Sequence, residues 1–300
     1  MGARVVSAVL ALLTGALLVG RGIGVSRGPA IPAEDAARRS TATPGGRSPG
    51  FIASTSALPG SQPAAQAETK EHPLLPVIRW AREGLPALEK VQDYSALFVS
   101  HERVNGKLYD EQYARIKVRQ RPLSVYAEFL RPASIKGREV LYVEGRHQGR
   151  MLVHLSGVQR ILGVVSVQPD GPFAMFGHRY PITEIGLLNM VRRLVEVAER
   201  DLQHGECEVR VVHGARINDR ACTWIEATHP VERPYFTFHV VRIFVDDQLN
   251  LPVRYEAYDF PAALGGPPEL IEQYSYLDLK LNNGYTDADF DVKNPKYRFR

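Results

Sequence analysis

Apolar and polar positions change their period three times along this chain. Leu74, Ile78, Ala81, Leu85 and Leu88 recur at spacings of four, three, four and three, which is the stripe of one helix face. Pro76 suits the first turn, whereas Gly84 and Pro86 predict a break and two short helical pieces. From Tyr94 the period falls to two. Tyr94–Val104 runs into Asn105-Gly106, a strong hairpin signal. Leu108–Arg119 returns, with Tyr113, Arg115, Lys117 and Arg119 on one face and Ala114, Ile116 and Val118 on the other. Leu123–Leu130, Val140–Glu144 and Arg150–Leu155 continue the meander. Residues 156–182 follow neither period. Leu187, Val191, Leu194, Ala198 and Leu202 then mark a second helix, Thr183–Gln203, with Thr183 as N-cap and Gly205 as terminator.

Strands at 206–212 and 221–229 follow, and then three more: Thr237–Val245, Pro252–Phe260 and Leu270–Leu281. In the second, Arg254, Glu256 and Tyr258 alternate with Val253, Tyr255 and Ala257. In the third, Ile271, Leu277, Leu279 and Leu281 lie opposite Glu272, Asp278 and Lys280. No helix-length crossover separates neighbouring strands, so the sheet is antiparallel and the class is α+β.

The N-terminus changes this picture. Arg4 precedes Val5–Gly20, a run without charge that suits a signal-peptide core and falls short of the ~20 residues of a comfortable membrane span. Residues 1–21 read as a signal peptide or, since no small-x-small site follows closely, an uncleaved anchor. No Cys lies near, so there is no lipobox. Residues 22–72 are Gly, Pro, Ser, Thr and Ala with isolated charges, a disordered tether. Residues 73–300 form a single domain. The net charge is +4, of which these residues carry only +1. A nucleic-acid binder concentrates its positive charge on the folded part, so no nucleic-acid partner is expected.

Chemistry is looked for and mostly missing. There is no G-x-S-x-G, H-E-x-x-H, P-loop or dinucleotide fingerprint. His101-Glu102-Arg103 alternates along a strand, and reads as a strand-face salt bridge with Glu102 pointing away. Cys207 and Cys222 lack metal spacing. A turn at Asn218-Asp219 places Cys222 opposite Ala215 and Cys207 opposite Pro230, leaving both unbridged; a turn at Gly214-Ala215 places the thiols face to face. Turn chemistry favours the first. The protein is expected to be no enzyme, to hold no metal and to need no cofactor.

Two resemblances add to this reading. Leu251–Asp259 (LPVRYEAYD), Tyr274–Asn282 (YSYLDLKLN) and Asp287–Asp291 (DADFD) resemble the last strands of LolA/LolB-type lipoprotein carriers. Asp93–Ala96, Lys136–Val140, Arg179–Thr183 and Thr286–Asp291 resemble the secreted bacterial family called domain of unknown function 1571. These resemblances imply a curved antiparallel half-barrel wrapped around helices, with an apolar hollow for acyl chains. The expected protein is exported to the periplasm or cell envelope, where it carries or senses a lipid or lipidated peptide. A tethered scaffold with a filled core is the rival, and a hydrolase would need two carboxylates or a Cys–His pair in a cleft. Membrane association would come through the N-terminus.

Within the irregular stretch, Phe173, Met175 and Phe176 sit between Pro169-Asp170-Gly171 and Gly177-His178. Either they plug the barrel end as core, or they form a lid at the cavity mouth. Arg115, Lys117 and Arg119 form a basic row that is either a solvated outer face or a contact for anionic head groups. The tail from Thr286 is expected to lie over the barrel with Phe290 tucked in. Since residues 22–72 bury too little to order themselves, a chain starting at Glu71 should melt at the same temperature as one starting at Gly22. Calorimetry of the two checks this, and a drop of several degrees contradicts it.

Overall fold

The computed structural model describes residues 71–263 and 265–299; the expected signal segment and all of the tether but Glu71 and His72 lie outside them. Two helices, α1 (Leu74–Glu89) and α2 (Leu187–Asp201), accompany twelve strands. The strands are β1 (Asp93–Val104), β2 (Lys107–Leu108), β3 (Gln112–Gln120), β4 (Leu123–Arg131), β5 (Glu139–Val143), β6 (Met151–His154) and β7 (Val164–Val167) before α2. After it come β8 (Glu208–Ile217), β9 (Arg220–Thr228), β10 (Val240–Asp246), β11 (Leu251–Asp259) and β12 (Glu269–Leu281). The sheet order is β7-β6-β5-β4-β3-β1-β12-β11-β10-β9-β8, with β2 on β1, and the registered pairs are antiparallel.

This order explains where the helices go. β1 and β12 pair at the centre; the first half of the chain adds strands outward from β1 to β7, and the second half runs inward from β8 to β12. β7 therefore ends at one edge and β8 begins at the other. The intervening residues 168–207 must cross the whole sheet, and they do so over one face carrying α2. The sheet curves around that crossing. α2 residues line one hollow with side chains of β3 to β6 and another with side chains of β8 to β11, and the edges β7 and β8 do not pair with each other.

α1 is continuous through Pro86, correcting the expected break. Pro86 and Arg82, whose carbonyl loses its helical partner, are both exposed, so the missing hydrogen bond falls on the solvent side of the helix. α2 starts four residues later than Thr183. Gly186, at φ 123°, occupies the N-cap position, and Ile182–Glu184 forms a separate 3-10 turn. The Leu187 N–H is satisfied across the sheet by donating to the Tyr94 hydroxyl at 3.2 Å.

Strict alternation fails twice in β12. Register shifts opposite Ala257/Tyr258 and Ser95/Leu97 add one residue each, and Asp278 takes φ 53°. These bulges place Ile271 in the inner cluster of Phe238, Tyr255 and Ala257. Leu279 and Leu281 join Tyr276, while Glu272 is buried on the inner side rather than facing water. Asn218 and Asp219 form the β8–β9 turn at φ 47° and 64°. Ala215 faces Cys222 and both cysteines are free, as the turn chemistry implied. A bulge after Val212 moves Cys207 opposite His229 instead of Pro230.

The convex face of β4 and β5 is also covered. Tyr126, Leu141 and Val143 pack under Phe290, Tyr297 and Phe299 of the C-terminal tail, and Phe290 is 1% exposed. The tail's departure is fixed by Asp93. Its buried carboxylate accepts the N–H groups of Asn283 (2.6 Å), Gly284 (3.1 Å) and Tyr285 (3.0 Å). Asp93→Ala strands three donors and should cost about 3 kcal/mol. Urea unfolding checks this, and a loss below about 1 kcal/mol would mean that the tail holds without it.

Candidate functional site

Between the concave face and the crossing segment lies a cavity of about 740 Å³, within the ~300–1,000 Å³ range of small-molecule sites. Its character changes along the strands. Inward positions of β1 run Tyr94, Ala96, Phe98, Ser100, Glu102, and those of β3 run Val118, Ile116, Ala114, Gln112. One end is therefore apolar, closed by Phe98, Ile116, Val125, Met151, Met190 and Tyr276. The other end is polar, with Ser100, Gln112, Glu102 and Glu272. Gln112 Oε1 is buried there without a hydrogen-bond partner.

The polar end is built on two carboxylates. Glu102 and Glu272 are direct cross-strand partners on β1 and β12, 5% and 1% exposed. The segment His178–Tyr180 is clamped to them. Arg179 donates Nε to Glu272 Oε2 at 2.7 Å, Nη1 to the Arg103 carbonyl at 3.0 Å, and its backbone N–H to Glu102 Oε1 at 2.9 Å. His178 Nδ1 donates to Glu102 Oε2 at 3.0 Å. Three tyrosine hydroxyls finish the network: Tyr274 on Glu102 (2.7 Å), with Tyr255 (3.0 Å) and Tyr180 (3.2 Å) on Glu272. All four carboxylate oxygens thus accept protein donors.

The two acids respond oppositely. Burial pushes Glu102 up, but the His178, Tyr274 and Arg179 N–H bonds more than reverse this and leave it below its ordinary 4.5. Burial also raises Glu272; Arg179, Tyr180 and Tyr255 pull it down only partly, and Glu102 adds repulsion, so it stays above 4.5. At the cavity rim Arg193 lies over the Tyr180 ring at 4.2 Å and pairs with Glu184 at 3.0 Å.

The structure distributes the expected site residues unevenly. Residues of Pro169–Gly186 roof the cavity, but they reach it through Pro169, Ala174, His178–Ile182 and Glu184–Gly186. Phe173 packs on the main core and Met175 is half-buried. Phe176 is 71% exposed, its ring edge on Tyr109 at 5.7 Å. Arg115, Lys117 and Arg119 lie on the convex face. Arg115 pairs with Glu128 (3.5 Å), Lys117 with Asp289 (3.2 Å) and Arg119 with Asp287 (2.8 Å), so much of that row ties down the tail.

Sequence reasoning passed over Glu102 and Glu272. Their signal was present in the alternation itself, since Glu102 shares its period-two face with Tyr94, Ala96 and Phe98. His101 and Arg103, which point the other way, drew attention outward. Among the described residues no cluster of His, Cys, Asp or Glu has metal-site geometry, and no helix is long and apolar enough to cross a membrane.

Removing Arg179 leaves Glu272 buried and unpaired, so Arg179→Met should cost about 3–5 kcal/mol, and adding Glu272→Leu should restore much of it. The acids also predict a pH profile. The Glu102 contribution is complete above 4.5 and is lost as pH falls through its depressed value. That of Glu272 is complete below 4.5 and is lost as pH rises through its raised value. Urea midpoints against pH for Glu102→Gln and Glu272→Gln should each lack the corresponding limb; parallel profiles contradict this.

Similarity to solved structures is remote. Lipoprotein LppX of Mycobacterium tuberculosis is 13% identical at TM-score 0.41, covering 72% of this chain and 98% of that one. MucB in the Pseudomonas aeruginosa MucA/MucB complex is 14% identical at 0.40, covering 72% and 60%. A LolA superfamily protein of Nitrosomonas europaea is 14% identical at 0.27, covering 70% and 97%. No curated protein matches the sequence. A family model does match, over residues 91–299, which take in β1, both cavity carboxylates, Arg179 and the tail. The chain belongs to the DUF1571 family, a protein family of unknown function.

Proposed function

We propose that this protein is an exported, non-catalytic cell-envelope protein that binds a lipid or a lipidated peptide in its cavity, as a carrier or sensor. The observation that carries this reading is the polarity gradient. A cavity of about 740 Å³ with an apolar end and a hydrogen-bonding end matches an amphiphile, whose chain and head group need those two environments. The size of the hollow favours binding over a scaffold with a filled core. α2 supports the same reading. Val191, Leu194 and Val197 pack on core clusters with part of their surface and line hollows with the rest, which leaves them half-buried.

The paired carboxylates invite a hydrolytic reading, since two acids in a cleft can act as general acid and base. Here every oxygen of Glu102 and Glu272 is engaged by protein donors. That arrangement favours fastening the roof over proton transfer to a substrate. Lipid or lipoprotein acyl chains are thus the proposed ligands, the periplasm or envelope the proposed location, and an N-terminal segment the proposed membrane tether.

Ala127 lines the cavity from β4. Ala127→Trp projects an indole into the hollow and should weaken binding of a fluorescent fatty-acid probe at least about tenfold, the loss of roughly two buried methylenes. Its melting temperature should change little. Unaltered probe affinity in a folded variant would contradict the assignment of the cavity.

A further inference from the structure

A second hollow, of about 110 Å³, lies between α1, α2 and β8 to β11, walled mainly by apolar side chains such as Leu74, Ile78, Val195 and Ile225. Leu194, Val197 and Phe238 line it and the first cavity alike, so the C-terminal half of α2 belongs to the partition between the two. Two buried polar side chains interrupt the apolar wall. Asp201, the last residue of α2, is 3% exposed, and His229, just past β9, is 5% exposed. His229 Nε2 stands 3.5 Å from Asp201 Oδ2. Neither Nε2 nor Asp201 Oδ1 has a hydrogen-bond partner among the described residues.

The other ring nitrogen fixes the tautomer. His229 Nδ1 is 2.8 Å from the Phe238 carbonyl, an oxygen that only accepts, so Nδ1 carries a hydrogen. In a neutral ring Nε2 is then a bare acceptor, and it faces a carboxylate that also only accepts. Two buried acceptors so placed repel. One proton between them turns the contact into a bond, whether written as imidazolium on carboxylate or as imidazole on carboxylic acid. Phe236, stacked on the His229 ring at 3.7 Å, holds the ring in this plane.

The neighbouring charges leave that proton to the pair. On α2, Arg200 donates to the Thr237 hydroxyl at 2.9 Å, and Glu199 pairs with Arg82 of α1 at 2.6 Å. Beyond α2, His204 stacks on Tyr235 and its carbonyl accepts from His72, while Glu206 pairs with Arg233 at 2.8 Å. His239 Nδ1 donates to the His229 carbonyl. Burial, Asp201 and Glu208 push the Cys207 thiol up to about 11, so it stays neutral. Burial also pushes the Asp201 carboxyl above its ordinary 3.8, and the opposing pull of His229, Arg200 and His204 does not cancel it.

We propose that Asp201 and His229 form a proton-held latch that fastens the C-terminal end of α2 to the β9–β10 connection, and that loss of the proton as pH rises frees this end of the helix. The partition formed by Leu194, Val197 and Phe238 then loosens and the two hollows join. Asp201, raised in the fold, contributes stability that is complete below 3.8 and is lost as pH rises through its raised value. The latch stands on this pair and does not depend on what the first cavity holds.

The test compares the full chain with Asp201→Asn, whose amide donates to Nε2 without a titrating proton, and with Asp201→Ala, which removes the partner at every pH. Hydrogen exchange is followed at the amides of residues 198–202, with residues 191–195 of the same helix as reference and the intrinsic pH dependence divided out. In the unmodified chain the opening constant of the last turn should grow about tenfold or more as pH rises. It should stay flat in Asp201→Asn and be high throughout in Asp201→Ala. Nitrogen NMR of His229 in the unmodified chain should show Nδ1 protonated at every pH at which the chain is folded. Exchange with the same pH profile in the unmodified chain and in Asp201→Asn overturns the latch. A neutral His229 carrying its hydrogen on Nε2 overturns it as well, and that reading holds even where Asp201→Asn fails to fold.

Discussion

Two carboxylates set side by side inside a protein are a constraint that the rest of this fold answers. Glu102 and Glu272 oppose each other across the central strand pair, where burial and mutual repulsion both disfavour charge. Tyr274 and Tyr255 of the sheet supply part of the compensation, and the rest comes from outside it. Arg179 and His178 are brought in by the crossing segment, and Tyr180 comes with them. The sheet interior and its roof are therefore one electrostatic unit. The position of the roof follows from the position of the acids, and the polar end of the cavity is what lies between them.

The hollow itself has a topological origin. With the first and last long strands paired at the centre, the chain must return from edge to edge once, and that return supplies the cover. α2 has 15 residues, about 22 Å at helical rise, and α1 packs behind it through Leu74 and Ile78 against Val195. Two helices of this length cannot fill the concavity of a sheet this wide. On the convex side no such shortfall exists over β4 and β5, because the tail lies directly on them, with Tyr297 stacked on Tyr126 at 3.8 Å.

Much of this was legible in the sequence. Period two located β1, β3, β4, β9, β10 and β11, and Asn105-Gly106 and Asn218-Asp219 fixed their turns, because these signals are local. The family was legible in motifs that the structure turns out to use: Asp93 anchors the tail, Arg179 clamps the acids, and Asp287 and Asp289 hold Arg119 and Lys117. What escaped was whatever depended on distant pairing. β7 is four residues long, too short to register as a period. The bulges in β12 brought Glu272 to the inner side and parted Leu277 from Leu279 and Leu281, and a bulge is decided by the partner strand. Glu102 and Glu272 are far apart in sequence and become a site only once β1 meets β12.

The central claim is that the hollow between sheet and α2 is the seat of an amphiphile. The most direct measurement is native mass spectrometry of protein expressed in a bacterium and extracted gently. The account predicts a species heavier than the chain by the mass of one lipid or acylated molecule, released on organic extraction and identifiable in the extract. A chain that emerges at its bare mass, and stays so after incubation with envelope lipid extract, would contradict it.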